Sequence, residues 1–349
     1  MTEVQFESWR QTARFHNPLK DGQLDEQPIE VRLDPLLGHQ SIFSPGLAEK
    51  TSILFPPTDF TYLRQRAEET RQTCFLCDGK WRQTTPRYEE RIAPDGRLLH
   101  GEVALFPNLF PLAAYHAVVM LGGKHFRTLD DFPAPLFKDA LAASLEFIRR
   151  CHAADPQIRH FTINVNYLFP AGSSVLHPHL QVLGSPFAGA HERSLLDSSR
   201  RYFEQQQSSY WLDLCSTEKR LQSRWIGEIE GSCWFAAYAP IGVNEINAIT
   251  PNAGHFLEWG DAEINGIAEG LAKTLKLYHE LQFSTFNLSC FSAPLDGQRD
   301  DFRCLLRLIN RQNVTPHYRA DDYYFQKLLG NEIIIHTPED LAERMRQKL

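Results

Sequence analysis

The sequence has no excess of positive charge, few cysteines and no long apolar segment. Its 36 lysines and arginines are outnumbered by 43 aspartates and glutamates, which gives a formal net charge of -7. Nucleic acid and anionic membrane surfaces are therefore not expected partners. No apolar run approaches the ~18 residues of a membrane-spanning helix. Residues 1–14 are polar and charged, so they predict no signal peptide, and we expect a cytoplasmic protein.

The seven cysteines do not form the pattern of a disulfide framework. Only Cys74 and Cys77 are close in sequence, and in a cytoplasmic protein such a pair indicates metal binding or redox chemistry. Two thiolates at this spacing can hold one zinc, which needs two more ligands, and the candidates are His116, His125 and His177. A zinc knuckle, a redox pair and two unliganded cysteines are alternatives. The βαβ pattern that a redox motif prefers is missing here.

With 349 residues and 42% hydrophobic content, the chain can bury a sizeable core in one large domain or two. Residues 1–60 are rich in proline, glycine and glutamine and predict an irregular lead-in with short strands. Elsewhere, helical spacing of apolar residues predicts helices and short apolar runs predict strands. The predicted helices cover 58–72 (with Thr58 or Asp59 as N-cap), 135–153, 192–221 and 262–281. The predicted strands cover 103–106, 117–121, 161–166, 180–183, 233–238, 245–249, 286–290 and 303–309.

The predicted elements recur in the same order at an offset of roughly 125 residues. Each run has two strands, a long helix, and two more strands around a turn with proline and glycine. Two ordinary strand–helix–strand runs can agree by chance, but five elements in one order favour a duplication. We therefore predict two related halves, 61–190 and 191–349. Leu305 and Arg307 stand where the first half has His179 and Gln181, so we expect the chemistry in the first half.

The most informative motif is the run His177-Pro178-His179-Leu180-Gln181 at the start of a predicted strand. Alternate side chains of a strand share a face, so both histidines and the glutamine can point the same way. The small-residue turn at 172–174, preceded by Asn166, lets backbone N–H groups approach an anion. Together these residues predict a phosphate site at which imidazole can attack phosphorus and leave again. Two structural histidines are the alternative, since His-x-His alone is a weak motif.

Taken together, these motifs resemble those of the galactose-1-phosphate uridylyltransferase family of the histidine-triad superfamily, over about residues 34–335. The matching motifs are Cys74 with Cys77, His125, Gly172-Ser173-Ser174, and 177–181. Weaker matches are Asp34–Gly38 with Ser44-Pro45, Phe106-Pro107-Asn108, and Gly330-Asn331-Glu332. The resemblance implies an α+β fold, namely a duplicated histidine-triad-like half-barrel with antiparallel sheets and covering helices. The second half is then a degenerate copy.

The resemblance also implies a role for each matching residue. His179 is the implied nucleophile, which forms a nucleotidyl-histidine, and Gln181 and Ser174 assist it at the phosphates. The implied substrate-binding residues are Phe106, Asn108, Asn166, Gly172, Ser173 and Glu332. The implied ligands of a structural zinc are Cys74, Cys77, His125 and His177, which leaves His116 as a strand residue. The expected partners are a nucleotide-sugar and either a sugar phosphate or inorganic phosphate, and the family allows a homodimer.

The chain departs from the family on the acceptor side. Leu47 replaces an arginine that reaches phosphate, Asn331 replaces a tyrosine, and the second-half His-x-His is missing. Transfer chemistry is therefore better supported than galactose as the sugar. The first functional hypothesis is transfer of a nucleotidyl group to a hexose-1-phosphate, and the second is an ADP-sugar or dinucleoside polyphosphate phosphorylase. A histidine-triad hydrolase, which usually has a third histidine in place of Gln181, and a non-catalytic nucleotide-binding protein are the remaining alternatives.

Overall fold

The computed structural model describes residues 2–349, with the backbone alone for Ala48. The strands are β1 (Glu7–Asn17), β2 (Gln23–Leu33), β3 (Gln40–Phe43), β4 (Leu98–His100), β5 (Val103–Pro107), β6 (Tyr115–Met120), β7 (His160–Tyr167), β8 (His179–Ser185), β9 (Trp225–Ile229), β10 (Ser232–Ala236), β11 (Val243–Thr250), β12 (Phe286–Phe291), β13 (Cys304–Asn310) and β14 (Asn331–Ile334). The helices are α1 (Pro45–Ala48), α2 (Thr51–Leu54), α3 (Phe60–Arg71), α4 (Trp81–Thr84), α5 (Ala134–Ala154), α6 (Ala190–Gln206), α7 (Tyr210–Leu221), α8 (Asp261–Glu280), α9 (Tyr324–Lys327) and α10 (Pro338–Arg346).

In the described part of the chain, residues 2–349, the main sheet has ten antiparallel strands, and their order repeats in mirror image. The order is β4-β5-β6-β8-β7-β12-β13-β11-β10-β9, so every strand on one side has a counterpart on the other. The register repeats as well: Val118 pairs with Gln181 in the first half, and Asn247 pairs with Arg307 in the second. The predicted duplicated α+β fold with antiparallel sheets and covering helices is confirmed. The boundaries 61–190 and 191–349 stay a prediction.

One face of the main sheet packs on the two long helices. In β7 the side chains of Phe161, Ile163 and Val165 are buried, whereas Asn164 and Asn166 on the opposite face are half-buried. The buried set joins a single core with apolar residues of α5 and α8. This alternation is the period of a strand with one covered face. It places the polar residues of β7 and β8 on the face that points away from the helices.

The two halves of the sheet differ in how this second face is covered. In the second half, Tyr210 and Trp211 of α7 pack on Phe235 and Leu305 of the sheet and bury them. In the first half, Phe106 packs with the segment around the Cys74–Cys77 pair, and a cavity remains open beside it. The duplicated sheet therefore keeps one accessible polar face, in the half that carries the histidines.

Several boundaries agree with the sequence prediction. Asp59 caps α3, because its carboxylate accepts from the backbone N–H of Tyr62. The helices predicted at 135–153 and 262–281 are α5 and α8. All eight strands predicted between residues 103 and 309 are present, with ends that shift by up to two residues.

Two predictions about local structure are wrong. The lead-in is not made of short strands, because β1 and β2 form a hairpin of eleven paired positions. Most side chains of β1 are exposed, so the hairpin lacks the apolar alternation that predicts a strand. The helix predicted over 192–221 is two helices, because Gln207 adopts a left-handed conformation (φ 54°) that ends α6. Within residues 2–349, no helix is both long and apolar enough to cross a membrane.

Close packing between α8 and the sheet gives a testable stability prediction. A Cβ on Gly270 would stand 2.0 Å from the indole of the fully buried Trp234. Alanine gains about 1 kcal/mol of helix propensity, but overpacking a rigid core costs about 1–3 kcal/mol, and the upper end applies here because the ring cannot move aside. We expect Gly270→Ala to lower the free energy of unfolding by about 2 kcal/mol in urea denaturation. Gly297→Ala, where a Cβ meets nothing within 4 Å, is the control. An equal loss in both variants would contradict the packing argument.

Candidate active site and metal centre

The four predicted metal ligands come together in the first half. The ligand atoms of Cys74, Cys77, His125 and His177 all lie within 4.8 Å of one another, and the four side chains are buried. The Cys77 sulfur lies 3.2 Å from Nδ1 of His125 and 3.4 Å from Nδ1 of His177, and the Cys74 sulfur lies 3.8 Å from the latter. A tetrahedral zinc, with bonds of about 2.3 Å to sulfur and about 2.0 Å to nitrogen, requires sulfur–nitrogen separations of about 3.5 Å. The donor set and its spacing therefore fit a zinc ion.

The surroundings of this cluster turn both imidazoles toward its centre. The outer nitrogen Nε2 of His177 lies 2.8 Å from the carbonyl oxygen of Gly122, and Nε2 of His125 lies 3.0 Å from the Thr70 hydroxyl. Such outer contacts fix the ring and leave Nδ1 free to bind a metal. Burial, together with the adjoining Cys74 thiol, raises the pKa of Cys77 to about 12. A bound cation is what stabilises buried thiolates of this kind.

His179 lies next to this cluster and has one free ring nitrogen. Its Nδ1 lies 2.9 Å from the carbonyl oxygen of His177. A carbonyl only accepts, so Nδ1 carries the hydrogen and Nε2 carries the lone pair. Nε2 has no partner among residues 2–349, and burial lowers the pKa of His179, which favours the neutral ring. Nε2 can therefore accept a hydrogen bond or act as a nucleophile, but it cannot donate.

The cavity beside His179 has a volume of about 330 Å³ and brings together most of the predicted site residues. Those that line it are Phe106, Asn108, Gly172, Ser173, Ser174, His179 and Gln181. Its remaining walls are apolar or carry neutral polar groups, and no lysine or arginine of residues 2–349 lines it. Phe106 is buried and stacks on Trp81 at 6.3 Å between ring centroids. The cavity combines an apolar wall with a rim of small polar residues, a combination that is common in small-molecule binding sites.

A short turn after β7 forms the polar rim of the cavity. Gly172 has φ 92°, which residues with a side chain rarely adopt. The Ser173 hydroxyl donates to the backbone carbonyl of Val175 at 2.6 Å and is therefore occupied. Ser174 is exposed, and its hydroxyl has no partner in the part of the chain that the structure describes. Of the two serines, Ser174 is the one available to a phosphate.

Glu332 lies apart from these residues. It lines a separate small cavity with Arg319 and Gln326, and its carboxylate accepts from Gln326 at 2.9 Å and from the backbone N–H of Ile333 at 2.7 Å. Burial raises its pKa to about 7. The structure therefore does not bring Glu332 to the His179 cavity within this chain.

The sequence analysis left His116 without a role, and the structure gives it a contact in the site. It is not part of the cysteine–histidine cluster, and its Nε2 lies 2.8 Å from Oε1 of Gln181. Burial lowers the pKa of His116, which favours the neutral ring. Asn287 of the second half was also missed, although it bonds to Asn166 at 2.7 Å. Only the position of β6 beside β8, and of β12 beside β7, brings these partners together.

No protein-family model matches the chain. An uncharacterised protein of Archaeoglobus fulgidus is 30% identical over 341 residues, which cover 97% of this chain and 98% of that one. The ADP-glucose phosphorylase of Arabidopsis thaliana is 24% identical over 93% of this chain and 94% of its own length. A crystal structure of an ADP-glucose phosphorylase from Arabidopsis thaliana with bound ADP-glucose has a TM-score of 0.68 at 22% identity, covering 91% and 99% of the two chains. A uridylyltransferase structure has a TM-score of 0.63 at 18% identity, covering 72% and 85%.

The chain therefore belongs to one family with the Archaeoglobus fulgidus protein, and its fold is that of the ADP-glucose phosphorylase and uridylyltransferase structures.

Proposed function

We propose that the chain is a nucleotidyltransferase that works through a nucleotidyl-His179 intermediate. The observation that carries this proposal is the state of His179: Nδ1 is tied to a carbonyl, while Nε2 is unpartnered in a ring that lines the cavity. A neutral imidazole so oriented is a competent nucleophile toward phosphorus. The named relatives, an ADP-glucose phosphorylase and a uridylyltransferase, support the same class of chemistry.

The reaction has two displacements at the α-phosphorus. In the first, Nε2 forms a bond to phosphorus while the bond to the bridging oxygen breaks, and the sugar-1-phosphate leaves with the electron pair. In the second, an oxygen of the acceptor phosphate forms its bond to phosphorus, and the phosphorus–nitrogen bond breaks. Such transfers depend on positioning and on donors that stabilise charge on the phosphoryl oxygens. The donors proposed here are the amides of Gln181 and Asn166, the Ser174 hydroxyl and the backbone of the turn at Gly172 and Ser173.

Substrate binding is assigned to the rest of the cavity. Phe106 offers an apolar wall for a base, and Asn108 lies beside it on the rim. Zinc is the metal that we propose for Cys74, Cys77, His125 and His177, where it supplies structural support at the start of β8. Glu332 stays a predicted sugar-binding residue. It could reach the cavity only in a homodimer, where the Glu332 of one chain would contribute to the cavity of the other.

We propose inorganic phosphate as the acceptor and an ADP-sugar as the donor. The proposal is supported by a relative named for this reaction, an ADP-glucose phosphorylase that is 24% identical over 93% of this chain. The replacements at Leu47 and Asn331 are on the acceptor side, where a hexose-1-phosphate would need more contacts than inorganic phosphate. Transfer to a hexose-1-phosphate is the second candidate, supported by the uridylyltransferase likeness in fold.

The test is labelling with ADP-glucose or UDP-glucose that carries ³²P in the α-phosphate. We expect labelled protein from the ADP-sugar, release of the label as ADP with inorganic phosphate, and little release in buffer alone. Release as a new nucleotide-sugar only with a hexose-1-phosphate would favour the second candidate. Rapid formation of labelled AMP without an acceptor would indicate a hydrolase, and no labelling with either donor would indicate a non-catalytic binding protein.

A further inference from the structure

Recognition of phosphate in the His179 cavity depends on neutral donors, because no lysine or arginine of residues 2–349 lines it. Gln181 lines the cavity, whereas Asn166 does not line it but lies beside Gly172, which does. A carboxamide can present either its oxygen or its NH₂ group, and only the NH₂ group stabilises an anion. What fixes the orientation of these two amides therefore decides whether the site attracts phosphate.

The orientation of Asn166 is set from the second half of the chain. Arg311 donates to both carboxylate oxygens of Asp321, at 2.9 Å from Nε and 2.8 Å from Nη2. Its Nη1 lies 2.7 Å from Oδ1 of Asn287. A guanidinium has donors only, so Asn287 has to turn its oxygen toward Arg311. The NH₂ group of Asn287 then donates to Oδ1 of Asn166 at 2.7 Å and to the carbonyl of Ala171 at 2.9 Å.

Asn166 consequently uses its oxygen as an acceptor and keeps its NH₂ group for a ligand. Its Nδ2 has no partner among the described residues and lies 3.7 Å from the place of a Cβ on Gly172. The bond from Asn287 to the carbonyl of Ala171 also ties the turn to the sheet. The Arg311–Asp321 salt bridge, which lies outside the cavity, thus determines which end of the Asn166 amide faces the turn at Gly172.

The orientation of the Gln181 amide can be derived in the same way from its hydrogen bond to His116 on β6. The backbone N–H of Leu112 donates to Nδ1 of His116 at 3.1 Å, so Nδ1 is the acceptor and Nε2 carries the hydrogen. Nε2 donates to Oε1 of Gln181 at 2.8 Å, which leaves the NH₂ group of Gln181 free. The amide nitrogen of Asn108, 3.3 Å from Nε2, is then a second donor in contact and not a hydrogen-bond partner.

We infer that Arg311 and His116 are positioning residues that hold Asn166 and Gln181 with their NH₂ groups toward the α-phosphate. This inference rests on the proposed function for its role in transfer, whereas the orientation of the donors also applies to the binding of a nucleotide. Neither Arg311 nor His116 lines the cavity. Each acts through one amide, and the two amides approach the phosphate from neighbouring strands, β7 and β8.

The first test removes the guanidinium of Arg311 and compares the change in labelling rate with that caused by removing the arginine of a matched salt bridge. Arg311→Met should lower the rate of His179 labelling by ADP-glucose about 100-fold, the lower end of the effect of losing one oriented donor. Arg299→Met is the control, because Arg299 binds Asp301 through the same two nitrogens and the exposed side-chain fractions, 20% and 9%, match the 21% and 8% of Arg311 and Asp321. It should cost similar stability and leave the labelling rate unchanged. Equal loss of activity in both variants would overturn the inference.

The second test asks whether each residue acts through its amide. Arg311→Met should have almost no further effect in an Asn166→Ala background, and His116→Leu almost none in a Gln181→Ala background. His116→Asn, which keeps an acceptor and a donor, should recover part of the loss seen in His116→Leu. Effects that multiply in the double variants would mean that Arg311 and His116 act by another route, and the inference would be wrong.

Binding of ADP, measured by calorimetry, separates this inference from the proposed function. Weaker ADP binding in Arg311→Met but not in Arg299→Met supports the inference even if the wild-type protein is never labelled, a result that would reject the proposed function alone. Normal labelling and normal ADP binding in both Arg311→Met and His116→Leu would reject the inference and leave the proposed function intact.

Discussion

Replacing His179 with glycine is expected to abolish nucleotidyl transfer, with a loss of about four orders of magnitude or more in kcat. The reason is that the covalent route disappears with the imidazole, and no other nucleophile with a free nitrogen lines the cavity among residues 2–349. The fold and the bound metal should remain, because the Nδ1 bond of His179 goes to a backbone carbonyl and not to a metal ligand side chain. The measurements are labelling from an α-³²P-labelled nucleotide-sugar and steady-state turnover.

Free imidazole should partly restore turnover in His179→Gly, since the vacated volume can hold the missing ring. His160→Gly is a suitable control, because His160 lies on the neighbouring strand β7 and contacts Glu192 at 2.8 Å instead of the cavity. That variant should lose stability and keep labelling. The covalent mechanism is wrong if His179→Gly exchanges substrates at a near-normal rate. It is also wrong if initial-rate plots for the two substrates intersect, because a two-step exchange gives parallel lines.

The sequence predicted the structure correctly where the spacing of polar and apolar residues matches the period of the strand or helix that they form. The alternation from His177 to Gln181 predicted a strand with three polar groups on one face. β8 begins at His179, so His179 and Gln181 share the strand and line the cavity, whereas His177 precedes the strand and joins the cysteine–histidine cluster. The duplication could be inferred because each copy repeats its core pattern, and the sheet order repeats with it. The close spacing of Cys74 and Cys77 predicted that they would act together, and the resemblance added His125 as a distant ligand. The structure places all three in one cluster.

The failures of the sequence analysis share a different cause, which is tertiary context. β1 is exposed on both faces for most of its length, and the buried residues of β2 do not alternate, so the hairpin carries no hydrophobic period. The break between α6 and α7 depends on the left-handed conformation of Gln207. Glycine is the residue that usually marks such a helix end, so a glutamine at this position does not predict one. The roles of His116 and Asn287 depend on strands that are neighbours in space but distant in sequence.

The duplication is consistent with the proposal that the chemistry of this symmetric sheet lies in one half. Register places Arg307 where Gln181 stands, and Leu305 where His179 stands. In the second half this face is covered by α7, and Leu305 packs in the resulting core. Loss of the histidine and gain of a cover are consistent with each other, since an open apolar face would be unstable in water. In the proposed arrangement, the second half contributes Arg311 and Asn287, and Asn287 contacts Asn166 of the first half across the β7–β12 pair.

Removal of the metal is the second large effect that we expect. Cys74→Ser and His177→Ala should each lose the bound zinc and lower the free energy of unfolding by about 4 kcal/mol or more, as expected when a buried structural metal is lost. Activity should fall as well, because the backbone carbonyl that orients His179 belongs to residue 177, whose position depends on the metal centre. Cys215→Ser is the matched control, since Cys74 and Cys215 are both 7% exposed but Cys215 lies outside the cluster. Elemental analysis of protein purified without chelator should give about one zinc per chain for the wild type and the control, and almost none for the two ligand variants. Protein without zinc in the wild type, or with full zinc in Cys74→Ser, would contradict the assignment of these four residues as the metal centre.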